Sequence, residues 1–205
     1  MLKSFISLAV ASTLVSASIE QPNPRLKQSR LDTALAELAP TNEEKEVVEI
    51  EVVPYYICEG CTTQEKMALI AFQDRGITDK LALAALMGNI KHESRFVPDI
   101  CEGGARVPYH HCHTGGFGLI QWTTVNRYDG LGRHARKNNC NPSTTECQLG
   151  YLFTEYQWNK VEHHMKTPGK SIEWYMNHAY TWLGWGIHGA RTDYAYNYAR
   201  MLYKA

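Results

Sequence analysis

The chain has 205 residues, 44% of them apolar and 20% charged, with 21 Lys and Arg against 21 Asp and Glu. That length can bury one ordinary domain with a segment to spare, and the composition excludes a chain disordered throughout. The zero balance excludes nucleic-acid binding driven by overall charge. The balance is uneven, however. Residues 18–57 hold 4 Lys and Arg against 8 Asp and Glu, whereas residues 58–205 hold 16 against 13. All five Trp, six Cys and nine His lie at or after Cys58.

Residues 1–17 read as a secretory signal: Lys3 precedes an apolar run from Phe5 to Val15, and Val15, Ser16 and Ala17 offer a cleavage site. The run is too short to span a membrane, and no later run approaches the ~20 apolar residues a span needs. Residues 18–57 read as an acidic linker or pro-segment. They carry no aromatic residue before Tyr55 and are punctuated by Pro24 and Pro40. A short helix over 31–38 and an edge strand within 43–53 are the only elements expected there, with too little apolar surface to fold alone.

Residues 58–205 read as one mainly α domain with long loops. Thr62 and Glu65 form a capping box, Gly76 a stop, and Met67, Ile70 and Ala71 share a face. Thr78 or Asp79 caps a second helix, apolar nearly all round and therefore central, which ends near Ser94 before Pro98. A loop rich in Gly and His follows from 101 to 116. Thr123 begins a polar helix that Gly130 and Gly132 should interrupt. Ser143 and Glu146 form a second capping box, opening a helix whose stripe is Leu149, Leu152, Phe153 and Tyr156. Ser171 caps a helix with Trp174, Tyr175 and Trp182. After the turn Gly184-Trp185-Gly186, a last helix carries Tyr194, Tyr198, Met201 and Leu202.

Six cysteines behind an export signal imply disulfides. Fifteen pairings are open, and locality favours Cys58 with Cys61, Cys101 with Cys112 and Cys140 with Cys147. The rival is a metal site on Cys58-x-x-Cys61 or on His110-His111-Cys112-His113, but only one Cys-x-x-Cys exists where a structural zinc draws on two such pairs. No metal or cofactor is therefore expected.

The second helix ends in Gly88-Asn89-Ile90-Lys91-His92-Glu93-Ser94-Arg95-Phe96. A glutamate there sits at the lip of the core, with apolar walls behind and a loop ahead, an environment suited to a general acid. Gly115-Gly116-Phe117-Gly118-Leu119-Ile120-Gln121-Trp122 follows, its glycines letting backbone approach a ligand and its Gln121 and Trp122 offering an amide and a ring.

Glu93-Ser94-x-Phe96 followed by Gly118-Leu119-Ile120-Gln121-Trp122 resembles the phage tail lysozyme family, within the lysozyme-like superfamily that includes soluble lytic transglycosylases. Gly88-Asn89, the aromatic helix over 149–158, and Arg191, Tyr194 and Ala195 share the resemblance, which covers residues 64–203. The loop over 101–113 departs from it, being longer and richer in Cys and His. The resemblance implies a lysozyme-like helical domain that cleaves the β-1,4 glycan of peptidoglycan, as a lysozyme or a lytic transglycosylase, with Glu93 as the catalytic acid. It implies that Ser94 holds the Glu93 carboxyl and that Gly118 and Gln121 line the sugar cleft. Trp122, Tyr109, Tyr180 and Trp185 are candidate sugar-stacking faces. Asp99 and Glu102, nearest in sequence, are candidates for a second carboxylate. Phage tail or virion proteins are the companions implied, and the location is either exported or virion-associated. Two other functions compete: a wall-binding module that keeps the fold without the reaction, and a small metal-binding interaction protein built on the Cys/His loop.

Overall fold

Thr62 opens the helical region as its spacing to Glu65 implies. Its hydroxyl accepts the Glu65 amide, and the Glu65 carboxylate accepts the Thr62 amide at 2.7 Å. The structure, a computed structural model, describes residues 55–113 and 115–204, all within the unit Glu51–Ala205. The signal-like segment and the elements expected over 31–38 and 43–53 lie outside the described residues.

Seven helices are present among the described residues: α1 (Thr63–Asp74), α2 (Lys80–Ser94), α3 (Val125–Asn138), α4 (Thr145–Leu152), α5 (Tyr156–Met165), α6 (Ile172–Leu183) and α7 (Arg191–Met201). One 3-10 turn covers Tyr109–His111. Two short strands, β1 (Tyr56–Ile57) and β2 (Tyr203–Lys204), pair antiparallel. The domain is mainly α, and its cysteines pair locally as Cys58–Cys61, Cys101–Cys112 and Cys140–Cys147.

Helix α2 is the centre. Every residue from Ala82 to Ile90 is buried, which its apolar circumference requires. Asp79 starts it by accepting the Leu81 and Ala82 amides, and its other oxygen takes the Gly169 amide at 2.7 Å. One side chain thus caps α2 and pins the loop before α6. Helices α1, α6 and α7 pack on α2, α5 on α6, and α4 on α1 and α3.

Three local expectations are corrected. The buried face of α1 is Glu65, Ala68, Leu69, Phe72 and Gln73, not Met67, Ile70 and Ala71. Two polar residues disguise it: Gln73 bonds the backbone of Tyr56, and Glu65 pairs with Lys91 at 2.7 Å. Helix α3 runs unbroken through Gly130 and Gly132, because rings fill the space their missing side chains leave. Tyr151 lies over Gly130 and Tyr109 over Gly132. The helix expected to join Leu149 to Tyr156 divides instead. Thr144, not Ser143, caps α4, and α5 restarts at Tyr156, which is exposed. The break is held by Thr154, whose hydroxyl donates to the Tyr151 carbonyl at 2.7 Å. The Glu155 carboxylate, at the N-cap of α5, is gripped through two oxygens by Arg127.

Candidate active site

Helix α2 stops after Ser94 because Arg95 and Phe96 both turn left-handed, at φ 54° and 63°. Consecutive left-handed non-glycine residues are costly. Burial of Phe96 against Tyr198 and a bond from its amide to Ser94 Oγ at 3.1 Å offset that cost. The same Ser94 hydroxyl donates to the Leu119 carbonyl at 2.8 Å. Ser94 therefore fastens the end of α2 to the glycine-rich turn, rather than holding the Glu93 carboxyl.

The turn is braced from beneath by Gln148. Its amide accepts the Leu119 N–H at 2.8 Å and donates to the Pro98 and Pro142 carbonyls at 2.5 and 2.7 Å. Gly118 stands at φ 72°, and a Cβ there would lie 2.5 Å from the Gln148 amide oxygen, so only glycine fits. Gln121 is itself left-handed at φ 52°, and its Nε2 donates to the Gly118 carbonyl at 3.0 Å. A non-glycine residue held in that region is the kind of strain that accumulates at functional sites.

Glu93 sits on the last turn of α2, its side chain 16% exposed. Its immediate partner is a guanidinium rather than the apolar wall expected: Arg191, the first residue of α7, donates Nη2 to Glu93 Oε1. Arg191 is only 3% exposed. Its Nη1 donates to the Ile187 and His188 carbonyls at 2.8 and 2.9 Å, and its guanidinium carbon lies 4.8 Å from the Trp185 ring centre. A single buried arginine thus ties the loop over 184–190 to the carboxyl. His92 packs under Gly189 in that loop, where any Cβ would strike its ring. Burial, followed by the Arg191 and His188 charges, pulls the His92 pKa below its ordinary value despite the opposing pull of Glu93.

These groups line an open cleft of about 650 Å³ together with Glu102, Gln121, Arg127 and Trp185. Glu102 accepts the Gly116 amide at 3.3 Å. Of the two acids proposed as a second carboxylate, Glu102 borders the cleft, while Asp99 pairs with Arg106 and lines a different groove. Trp122 is fully buried 5.4 Å from Tyr151 and is unavailable for stacking on a sugar. Tyr109 lies stacked 4.3 Å from Tyr128, outside the cleft, and burial pushes its hydroxyl up to about 12. Tyr180 is half exposed in a neighbouring groove, edge-on to Trp185 at 5.2 Å.

Sequence reasoning did not assign Arg191, Arg127 or Gln148 to the site. A signal existed for the first: Arg191 shares a stripe with Ala195, Tyr198 and Leu202, and an arginine on a buried stripe needs a partner. Gln148 has no comparable local mark. As for metals, the His/Cys cluster close enough to ligate among the described residues is His134 with Cys140 and Cys147. Both sulfurs there are joined in a disulfide, as are those of Cys58 and Cys61.

A carboxyl at the mouth of a polar cleft, backed by a buried guanidinium and faced by a glycine-shaped turn, is equipped to move a proton. No helix among the described residues is long and apolar enough to cross a membrane. In comparison with known proteins, the family model described as phage tail lysozyme matches residues 63–205. No curated protein and no solved structure gives a match.

Proposed function

Since the chain belongs to the phage tail lysozyme family, we propose that it cleaves the glycan strands of peptidoglycan, with Glu93 as the general acid. The observation that carries this reading is the Glu93–Arg191 pair at the cleft mouth. Arg191 engages Oε1, leaving Oε2 to carry the proton to the glycosidic oxygen. As the C–O bond breaks, positive charge develops on the sugar and the departing proton leaves Glu93 as a carboxylate. The guanidinium already stands where that negative charge forms, so no reorganisation is needed at that moment. Gln121, lining the same cleft, orients the sugar.

Glu102 on the cleft supports hydrolysis, in which it activates a water that attacks the oxocarbenium-like centre. In a lytic transglycosylase the substrate's own 6-hydroxyl attacks instead, with Glu93 acting as base. The enzyme works on walls outside the cytoplasm, carried by a virion or exported through the segment over 1–17.

The test is wall clearance and product analysis with purified peptidoglycan. Glu93→Gln should lose about 10²–10⁴-fold in rate. Reducing ends among the wild-type products mark a lysozyme, and anhydro-muramyl ends a transglycosylase. Clearance by Glu93→Gln at the wild-type rate, or free peptides as the products, overturns the assignment.

A further inference from the structure

The Cys140–Cys147 bridge has a neighbour that the other two bridges lack. A ring nitrogen of His134, on α3, lies within 4.8 Å of both sulfurs. Among the described residues, no other three His, Cys, Asp or Glu side chains converge so closely. We infer that, once this disulfide is reduced, His134 and the two thiolates form a site for a zinc-type divalent ion. The joint between α3 and α4 is then held by metal in a reducing compartment and by the S–S bond in an oxidising one.

The donor set selects the ion. Two thiolates and an imidazole suit a borderline-soft, tetrahedral ion that keeps a water in its fourth position. The backbone is already placed for it. The Cα atoms of Cys140 and Cys147 stand 5.7 Å apart, a span from which two thiolates reach one ion by side-chain rotation. His134 leans on the face of α4 that carries Cys147. A Cβ on Gly150, one turn beyond Cys147, would lie 3.1 Å from His134 Nε2, so glycine makes room for the ring. The Asn138 amide meets the ring at Nδ1, at 3.3 Å, which leaves Nε2 for the ion. Cys147 belongs to the first turn of α4, and Arg136 and Lys137 to the last turn of α3; both surroundings favour thiolate over thiol. His134 and Cys140 are half-buried, and each lines a surface groove through which an ion and a reductant can enter.

The exchange balances. A dithiol reductant gives two electrons and two protons to the S–S bond, becoming a disulfide itself, and leaves two thiols. The ion displaces both protons as it binds. In an oxidising compartment a disulfide oxidant takes the two electrons back, the S–S bond re-forms and the ion departs. The joint matters because Gln148, next to Cys147, braces the glycine-rich turn of the cleft. Metal keeps that brace in place on a newly made chain, whose sulfurs are still reduced.

The experiment uses the full-length protein, reduced without oxygen by a phosphine, with Co²⁺ as the spectroscopic probe and Zn²⁺ as its competitor. One equivalent of Co²⁺ should give thiolate-to-cobalt charge transfer and the strong visible bands of a four-coordinate ion. Zn²⁺ should abolish both and raise the urea midpoint of the reduced protein. The oxidised protein should show neither effect. His134→Ala and Cys147→Ser should each weaken binding by about a hundredfold, at least what the loss of an outer partner costs a metal site. Cys61→Ser and Cys112→Ser should leave it unchanged. Undiminished binding in His134→Ala, absence of binding to the reduced protein, or failure of Zn²⁺ to keep the reduced chain helical by circular dichroism overturns the site. So does a loss in Cys61→Ser in place of Cys147→Ser, which puts the ion on Cys58 and Cys61.

Discussion

Gly88 of α2 lies against Ala195 of α7 so closely that a Cβ on it would come 2.5 Å from the Ala195 nitrogen and 2.8 Å from the Arg191 carbonyl oxygen. The obstacle is helix backbone, which has no rotamer to retreat into. This contact sets the spacing of the two helices that carry Glu93 and Arg191. Gly88→Ala should therefore destabilise by about 1–3 kcal/mol through overpacking. It should also lower activity by more than the loss of folded protein explains. Urea unfolding beside initial rates of wall clearance at a temperature where both proteins are folded separates the two effects.

In the proposed mechanism Arg191 positions Glu93 and takes a direct electrostatic part. Arg191→Met keeps the length and apolar stem but removes the donors to Glu93, Ile187 and His188. The expected loss is about 10²–10³-fold in kcat/KM. Arg191→Lys restores a charge but cannot serve three acceptors with a planar fork, so it should recover only part. A purely structural role would lower the melting temperature of both variants without separating their rates.

Stability should fall in acid through Glu65. Burial pushes its carboxyl up, but bonds from Lys91, Tyr198 and the Thr62 amide outweigh this and hold the pKa below the ordinary value of 4.5. A glutamate lowered in the folded state contributes stability above the unfolded value, and that contribution disappears as pH falls through the folded one. Glu162, lowered by Lys166 and Arg75 against its own burial, acts in the same direction. Melting temperatures should begin to decline as pH falls through about 6.5, because burial holds His92, His134 and His178 below their ordinary value in the folded protein, and should drop further below about 5 as Glu65 and Glu162 take up protons. In Glu65→Gln the midpoint at pH 7 should be lower and the acid drop shallower.

The Cys101–Cys112 bridge closes the loop that presents Glu102 to the cleft. Replacing both cysteines by Ala should cost about 2–4 kcal/mol, chiefly by freeing the unfolded chain. Differential unfolding in urea, with the other two bridges intact by mass, measures it.

The parts of the fold governed by short-range rules were legible. The Thr62 capping box, the all-round apolar character of α2 and the three local disulfides each follow from residues close in sequence, 11 positions apart at most in the disulfides. What failed were judgements that needed a distant partner. Gly130 and Gly132 read as breakers until Tyr151 and Tyr109 are seen filling their sides. The buried face of α1 was misplaced because its polar members, Glu65 and Gln73, belong there only through Lys91 and Tyr56. In the site, Glu93 and Gln121 were marked by helix end and glycine pattern, and both reached the cleft. Trp122 carried the same local marks yet lies in the core, packed beside Tyr151 on the next part of the chain, a partner its local sequence does not announce.

Glu93 and Arg191 stand 98 positions apart in the chain. On a ribosome the acid emerges long before the helix that completes it, and no local folding event can join them. A chain ending before α7 holds a carboxyl without its guanidinium and a 184–190 loop without its anchor. Under the proposed mechanism, lytic potential is thus tied to synthesis through α7, and competence arrives only as that last helix docks.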